Sequence, residues 1–353
     1  MTGADAGGEP VDWALAGRVG GRIAPPGPRL TAGERGAVIA SLTAAARGAE
    51  APVRAQTGLA EDLPIPEAEI VDRAQWITAA GQSMRALVGA ADEEPGRVGA
   101  LLRPITARAA GVQAGGVLAA VSTAILGQYD PFARPDGRLL LVWPNIVGVE
   151  RGLGVRPADF RMWVCLHEVT HRVQFAAAPW LGGYMRDSVA DLGAESPESL
   201  EQMLGRLVGV LRRRRDGTAA LSEEGLVGLL TAVQGPAQRA AIERMLLLGT
   251  LLEGHADQVM DAVGPEVVPT VGRIRRAFDA RREQAPSLPQ RLLRAVLGMD
   301  VKMAQYLRGK AFVDEVVATV GTAGFNAVFT GPETLPRAEE IVDPQLWVRR
   351  VHG

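Results

Sequence analysis

Lysine is almost missing from this chain. Lys302 and Lys310 are the only two, and the remaining 36 basic residues are arginine. Against 40 acidic residues they leave a formal charge of −2, which excludes a field that would draw nucleic acid or an anionic membrane without specific contacts. The one local basic cluster, Arg212–Arg215, reads as the solvated C-terminal turn of a helix, where cations meet the negative end of the helix dipole. Cysteine is scarcer still. The single Cys165 excludes an intramolecular disulfide and is compatible with a reducing compartment. Long apolar runs are missing as well: 116–127 and 245–252 fall short of the 18 or so residues that a membrane span needs. The opening stretch MTGADAGGEPVDW has neither a basic region nor an apolar core of signal type. A cytoplasmic protein with no membrane and no nucleic-acid partner is the expectation.

With 353 residues, 47% of them hydrophobic and 22% charged, the chain can bury a large core and is not disordered throughout. Residues 1–11 are small and polar and read as a frayed end; 12–353 read as one domain, softly divisible into a helical part, 12–127, and a part carrying the site, 128–353. Thr31 followed by Glu34 is a capping-box pattern and starts a long Ala-rich helix. Helices are predicted at 74–89, near 95–106 and over 109–127. The run RLLLVWPNIV (138–147) has β character and is stopped by Pro144-Asn145. Further helices follow over 198–252 and up to Gly321, and the chain ends in a Pro-rich tail. The fold class is mainly α with a small β-sheet around 138–143.

Histidine occurs four times, and two of the four fall in CLHEVTHRVQF (165–175). Pro157 suits a first helical turn, and Phe160, Trp163, Val164, Leu166, Val169 and Val173 recur at helical spacing, so the pentad lies inside a helix. Positions i and i+4 share a helix face, which lets His167 and His171 aim ring nitrogens at one zinc ion. Glu168 stands about 100° round the helix from His167, beside such a metal rather than on it. There it can act as general base toward a water that the metal has acidified. With so few histidines the pattern arises by chance in roughly 0.3% of similar chains. Cys165 is turned about 200° from His167 and reads as core.

A catalytic zinc wants a third protein ligand. In EGHAD (253–257), Glu253 and Asp257 share a helix face, so that one can bind metal while the other orients a ligating histidine. Glu253 is the preferred ligand and His255, which points to the opposite side, the alternative. Gly254 inside an apolar helix fits a place where another helix or a substrate comes close.

HEVTH followed by EGHAD resembles the gluzincin arrangement of zincin-type metallopeptidases. Together with VDWALAGRVGGRI, GQYDPF, LLLVWPNIVGVER, KMAQYLRGKAFV and LPRAEEIVDPQLWVRRV, it is similar to a bacterial family of zincin-like hydrolases. Some members of that family are described as zinc-dependent metalloproteases and some as associated with deazaflavin coenzyme biosynthesis. The resemblance implies a zincin-like metallohydrolase architecture, a Zn2+ cofactor, His167, His171 and Glu253 as ligands and Glu168 as base. It also places LLLVW where zincins have the edge strand that pairs with substrate; an ordinary core strand is the alternative. The 81 residues between His171 and Glu253 imply an insertion over 172–252. Tyr306 is a candidate oxyanion donor, with a buried tyrosine that simply finds a hydrogen-bond partner as the alternative. The leading reading is a zinc-dependent hydrolase of a peptide or other amide; the alternative is a catalytically silent zincin-like protein serving as a binding or assembly module.

Overall fold

The structure, a computed structural model, describes residues 9–88, 97–193, 236–283 and 299–353. It is mainly helical with one small sheet, the expected class. Backbone contacts divide the chain into two units, Met1–Ala177 with Val259–Gln284, and Ala178–Gln258 with Ala285–Gly353. The division falls just after the helix that carries the histidines, whereas the sequence reading places a soft one at 127/128.

In the first unit, α1 (Trp13–Ile23) starts at Asp12, whose Oδ1 accepts from the Leu15 N–H at 2.8 Å. The capping box opens α2 (Ala32–Thr57) as expected: Glu34 N–H donates to Thr31 Oγ1 at 3.2 Å and Thr31 N–H to Glu34 Oε2 at 2.7 Å. There follow β1 (Glu69–Val71), α3 (Arg73–Val88) and α4 (Arg97–Val121), a single helix where the sequence suggests two. The hairpin strands β2 (Gly127–Asp130) and β3 (Arg138–Val142) then lead directly into α5 (Trp143–Leu153), with Pro144 in its first turn, and α6 (Pro157–Ala177).

The sheet order is β1-β3-β2, with β1 parallel and β2 antiparallel to β3. Glu69 pairs with Leu140, and Gly127 with Leu141. The central β3 is buried from end to end. Leu139 and Leu141 pack with Leu42 and Ala49 of α2 and Leu166 and Val169 of α6, while Leu140 and Val142 pack with Trp76 and Ile77 of α3. Its consecutive apolar residues are what a strand covered on both faces requires. The edge-strand reading of LLLVW is therefore overturned: among the described residues the edges are β1 and β2.

A buried charge cluster fastens α6 to α2. Glu50 of α2 is fully buried and accepts from Arg172 of α6 through one oxygen and from Arg54 Nε through the other, at 2.8 Å for the latter. The same two guanidiniums reach the following loop, Arg54 Nη1 donating to Leu63 O and Arg172 Nη1 to Pro66 O, both at 2.7 Å. One carboxylate thus holds two cations, and these hold the chain between α2 and β1.

The second unit contains α7 (Trp180–Gly193), the N-terminal two-thirds of α8 (Pro236–Val267), and α10 (Met299–Phe325); α8 runs on into the first unit, where α9 (Val271–Glu283) follows it. The Pro-rich tail folds as short 3-10 turns, then α11 (Ala338–Val342) and α12 (Pro344–His352). Arg350 forks onto both Glu340 oxygens at 2.6 and 2.8 Å and Trp347 Nε1 donates to Thr334 O at 2.8 Å. The stretch Gly309–Phe329 is long and apolar enough to cross a membrane by length and composition. It is not one continuous helix, since Gly321 breaks α10 at φ 74°, ψ 171°, and Phe312, Val316, Phe325 and Phe329 are buried. The arginine run 212–215 and most of the segment 172–252 lie outside the described residues.

Replacing Glu50 by Gln leaves two buried guanidiniums facing a neutral amide, and is expected to cost about 3–5 kcal/mol of unfolding free energy in urea titration. Arg47→Ala, which removes the exposed pair with Glu67, is expected to cost less than about 1 kcal/mol in the same assay.

Candidate metal centre

The pentad lies in the middle of α6, as its spacing predicts, with Phe160, Val164, Leu166, Val169 and Val173 turned into the core. His167 and His171 face one another one turn apart, rings nearly perpendicular and centroids 4.7 Å apart, with their Nε2 atoms separated by 3.1 Å. Their other nitrogens face different partners. His171 Nδ1 is 2.9 Å from Gln174 Oε1, and His167 Nδ1 is 3.3 Å from the sulfur of Met260. An amide oxygen and a thioether can each accept from an Nδ1–H, and in that tautomer both rings keep the lone pair on Nε2. Two lone pairs converging from one helix face are a donor set for a cation.

Glu168 is buried beside them. The first residue of β2 makes room for it: a Cβ on Gly127 would stand 2.6, 2.7 and 2.8 Å from Cγ, Cδ and Oε1 of Glu168. Two residues along the same face of β2, the ring of Tyr129 meets Phe175 of α6, with centroids 5.6 Å apart. The strand therefore lies along the helix face that carries Glu168. The Tyr129 phenol is pushed up by burial and then by Asp130 and Asp136, and stays protonated.

Cys165 is fully buried in the core of α6, away from the histidines. Burial, and then the Glu168 carboxylate, raise its thiol far above the ordinary range. His255 lies in the second unit between Phe325 and Phe329, centroids 4.9 and 5.5 Å away, and is almost wholly buried. Gly254 meets the expectation of a close approach, and the neighbour is a helix: a Cβ there would run into the backbone of Gly309 and Lys310 of α10. Glu253 and Asp257 stand on α8 one turn apart. Glu253 precedes Met260 by seven residues, within about 20° of two full turns, so both leave α8 on the same side. Tyr306 falls in α10, but its side chain is outside the described residues.

Three residues that position the site are not among the sequence candidates. Gln174 was within reach, being three residues after His171 on the same face. Gly127 closes a run of small residues without any mark of its own, and Met260 is brought to His167 across 93 residues of chain.

Two outcomes follow. Gly127→Ala is expected to cost about 1–3 kcal/mol by overpacking, and less in a Glu168→Ala background, a coupling that a double-mutant cycle in urea measures. Cys165 in the folded protein is expected to resist a thiol reagent such as dithionitrobenzoate and to react only at the rate of unfolding; prompt labelling would contradict its burial.

Residues 11–348 match the family described as zincin-like metallopeptidase. No curated protein matches. Among solved structures, the chain is similar to a crystal structure from Chloroflexus aurantiacus, described as a candidate hydrolase with a novel fold. The identity is 28%, the TM-score is 0.64, and the match covers 96% of this chain and 98% of that one. A match over nearly its whole length, with the paired histidines and their glutamate on one buried helix, makes this chain a member of the zincin-like metallopeptidase family.

Proposed function

We propose that the protein is a zinc-dependent hydrolase of amide bonds, with peptides as its substrate class. In this reading His167 and His171 bind zinc through Nε2, Glu253 supplies the third ligand as a carboxylate oxygen, and Glu168 is the general base. The observation that carries it is the convergence of the two Nε2 atoms at 3.1 Å with both Nδ1 atoms turned to acceptors. Two neutral imidazoles and a carboxylate fit zinc, which takes nitrogen and oxygen ligands and in catalytic sites keeps a position open. Glu253 leaves α8 on the side that bears Met260, and Met260 touches His167. Asp257, one turn further along α8, is assigned to orient the ligand set. Tyr306 is kept as the donor to the developing oxyanion.

A zinc ion bound there supplies Lewis acidity, polarising a carbonyl and acidifying a water toward a pKa of ~7. Glu168 takes the proton of the attacking water and returns it to the leaving amine. Its burial and the backbone of Gly127 leave the carboxylate little freedom, so the proton acceptor is held where the water must lose its proton. Among the described residues nothing pairs with β2 on the side away from β3. An extended peptide added along that edge would pass over Gly127 and so past Glu168, which favours a peptide over a compact amide.

Metal content and cleavage of a quenched peptide library, measured on the full chain, test this reading. The expectation is about one zinc per chain, lost in Glu253→Ala and kept in His255→Ala. Glu168→Gln is expected to retain zinc while cleavage falls by about 10²–10⁴-fold. A wild type that takes up no zinc on reconstitution would refute the metal centre, and full zinc without cleavage would move the protein to the catalytically silent alternative.

A further inference from the structure

A histidine that binds zinc through one nitrogen commonly donates its other N–H to a carboxylate or a backbone carbonyl, which fixes the tautomer and makes the ring a stronger ligand. For His171 the facing acceptor is the side-chain amide oxygen of Gln174, on its own helix. The Nδ1 of His167 meets a thioether, Met260 Sδ, at 3.3 Å. Met260 is almost wholly buried and belongs to the same apolar core cluster as Val259, Val263 and Val268 and as Val164 and Val169 of α6. A carboxylate there would be a buried charge; the sulfur accepts a hydrogen bond at no such cost.

We infer that Met260 is a positioning residue for the metal centre: its sulfur accepts the Nδ1–H of His167, so that the ring is held in the tautomer that turns the Nε2 lone pair toward His171. The inference rests on the metal reading given above and extends it to α8. Met260 and Glu253 leave α8 on the same side, two turns apart, so one face of one helix carries both a ligand and the partner that aims another ligand. Because sulfur is a weak acceptor, it directs the ring without loading it with negative charge.

Met260→Leu keeps the volume and removes the acceptor. Met162→Leu, a methionine replaced on the same core and away from His167, is the control. Zinc dissociation constants are measured by competition with a chromophoric chelator, and the tautomer of His167 is read from its ring ¹⁵N shifts in the metal-free protein. Met260→Leu is expected to weaken zinc binding about tenfold and to move His167 from a single Nδ1–H form to a mixture of tautomers, with neither change in Met162→Leu. Unchanged affinity together with an unchanged tautomer overturns the inference. If the wild type binds no zinc, the metal reading fails by itself, while a tautomer that depends on Met260 still supports the role of the sulfur. Should Met260→Leu not fold, the wild-type spectrum decides: His167 without a proton on Nδ1 overturns the assignment, and a proton there supports it.

Discussion

A helix that presents chemistry on one face must be immobilised through its others, and in α6 this falls to a buried cation. Arg172 follows His171 directly and is sealed between α2 and the loop before β1, where Glu50 neutralises it. A charge in that position cannot be left unpaired without a penalty of several kcal/mol, so the rotation of α6 about its axis and its slide against α2 are both restricted. The direction of the two imidazoles is a consequence. Arg54, drawn to the same carboxylate, carries the restraint into residues 60–66, and the loop that leads to the sheet is held by the same charges that hold the helix.

The opposite flank of α6 is governed by steric exclusion. β2 comes so close that its first residue has no room for a side chain, and Glu168 fills the vacated volume. A carboxylate packed against a strand backbone has few rotamers left to it. The face of α6 that carries His167, Glu168 and His171 is thus defined from two sides by different physics, a compensated charge on one and contact between backbone and side chain on the other.

Much of this was legible in the sequence, for reasons that can be named. The pentad, Pro157 and the Thr31/Glu34 box are local patterns, and each lies where its spacing places it. The central strand is visible as a run of leucines whose readings as edge or core strand stay open, and its burial at all five positions decides for a core strand covered on both faces. β1 and β2, with three and four residues, are too short for a period to emerge. The prolines of the tail hide two helices that an ion pair, Arg350 with Glu340, holds in place. Met260 could not have been found at all, since nothing in VMDAV announces a histidine 93 residues earlier.

The lone cysteine, finally, says less about surroundings than its rarity implies. Its thiol is sealed in the α6 core and kept protonated by burial and by the neighbouring carboxylate. It is therefore closed to oxidants, to mixed disulfides and to stray soft metals alike, and the fold has no redox state to maintain. Helix α6 would keep the same covalent structure at Cys165 in an oxidising medium as in a reducing one.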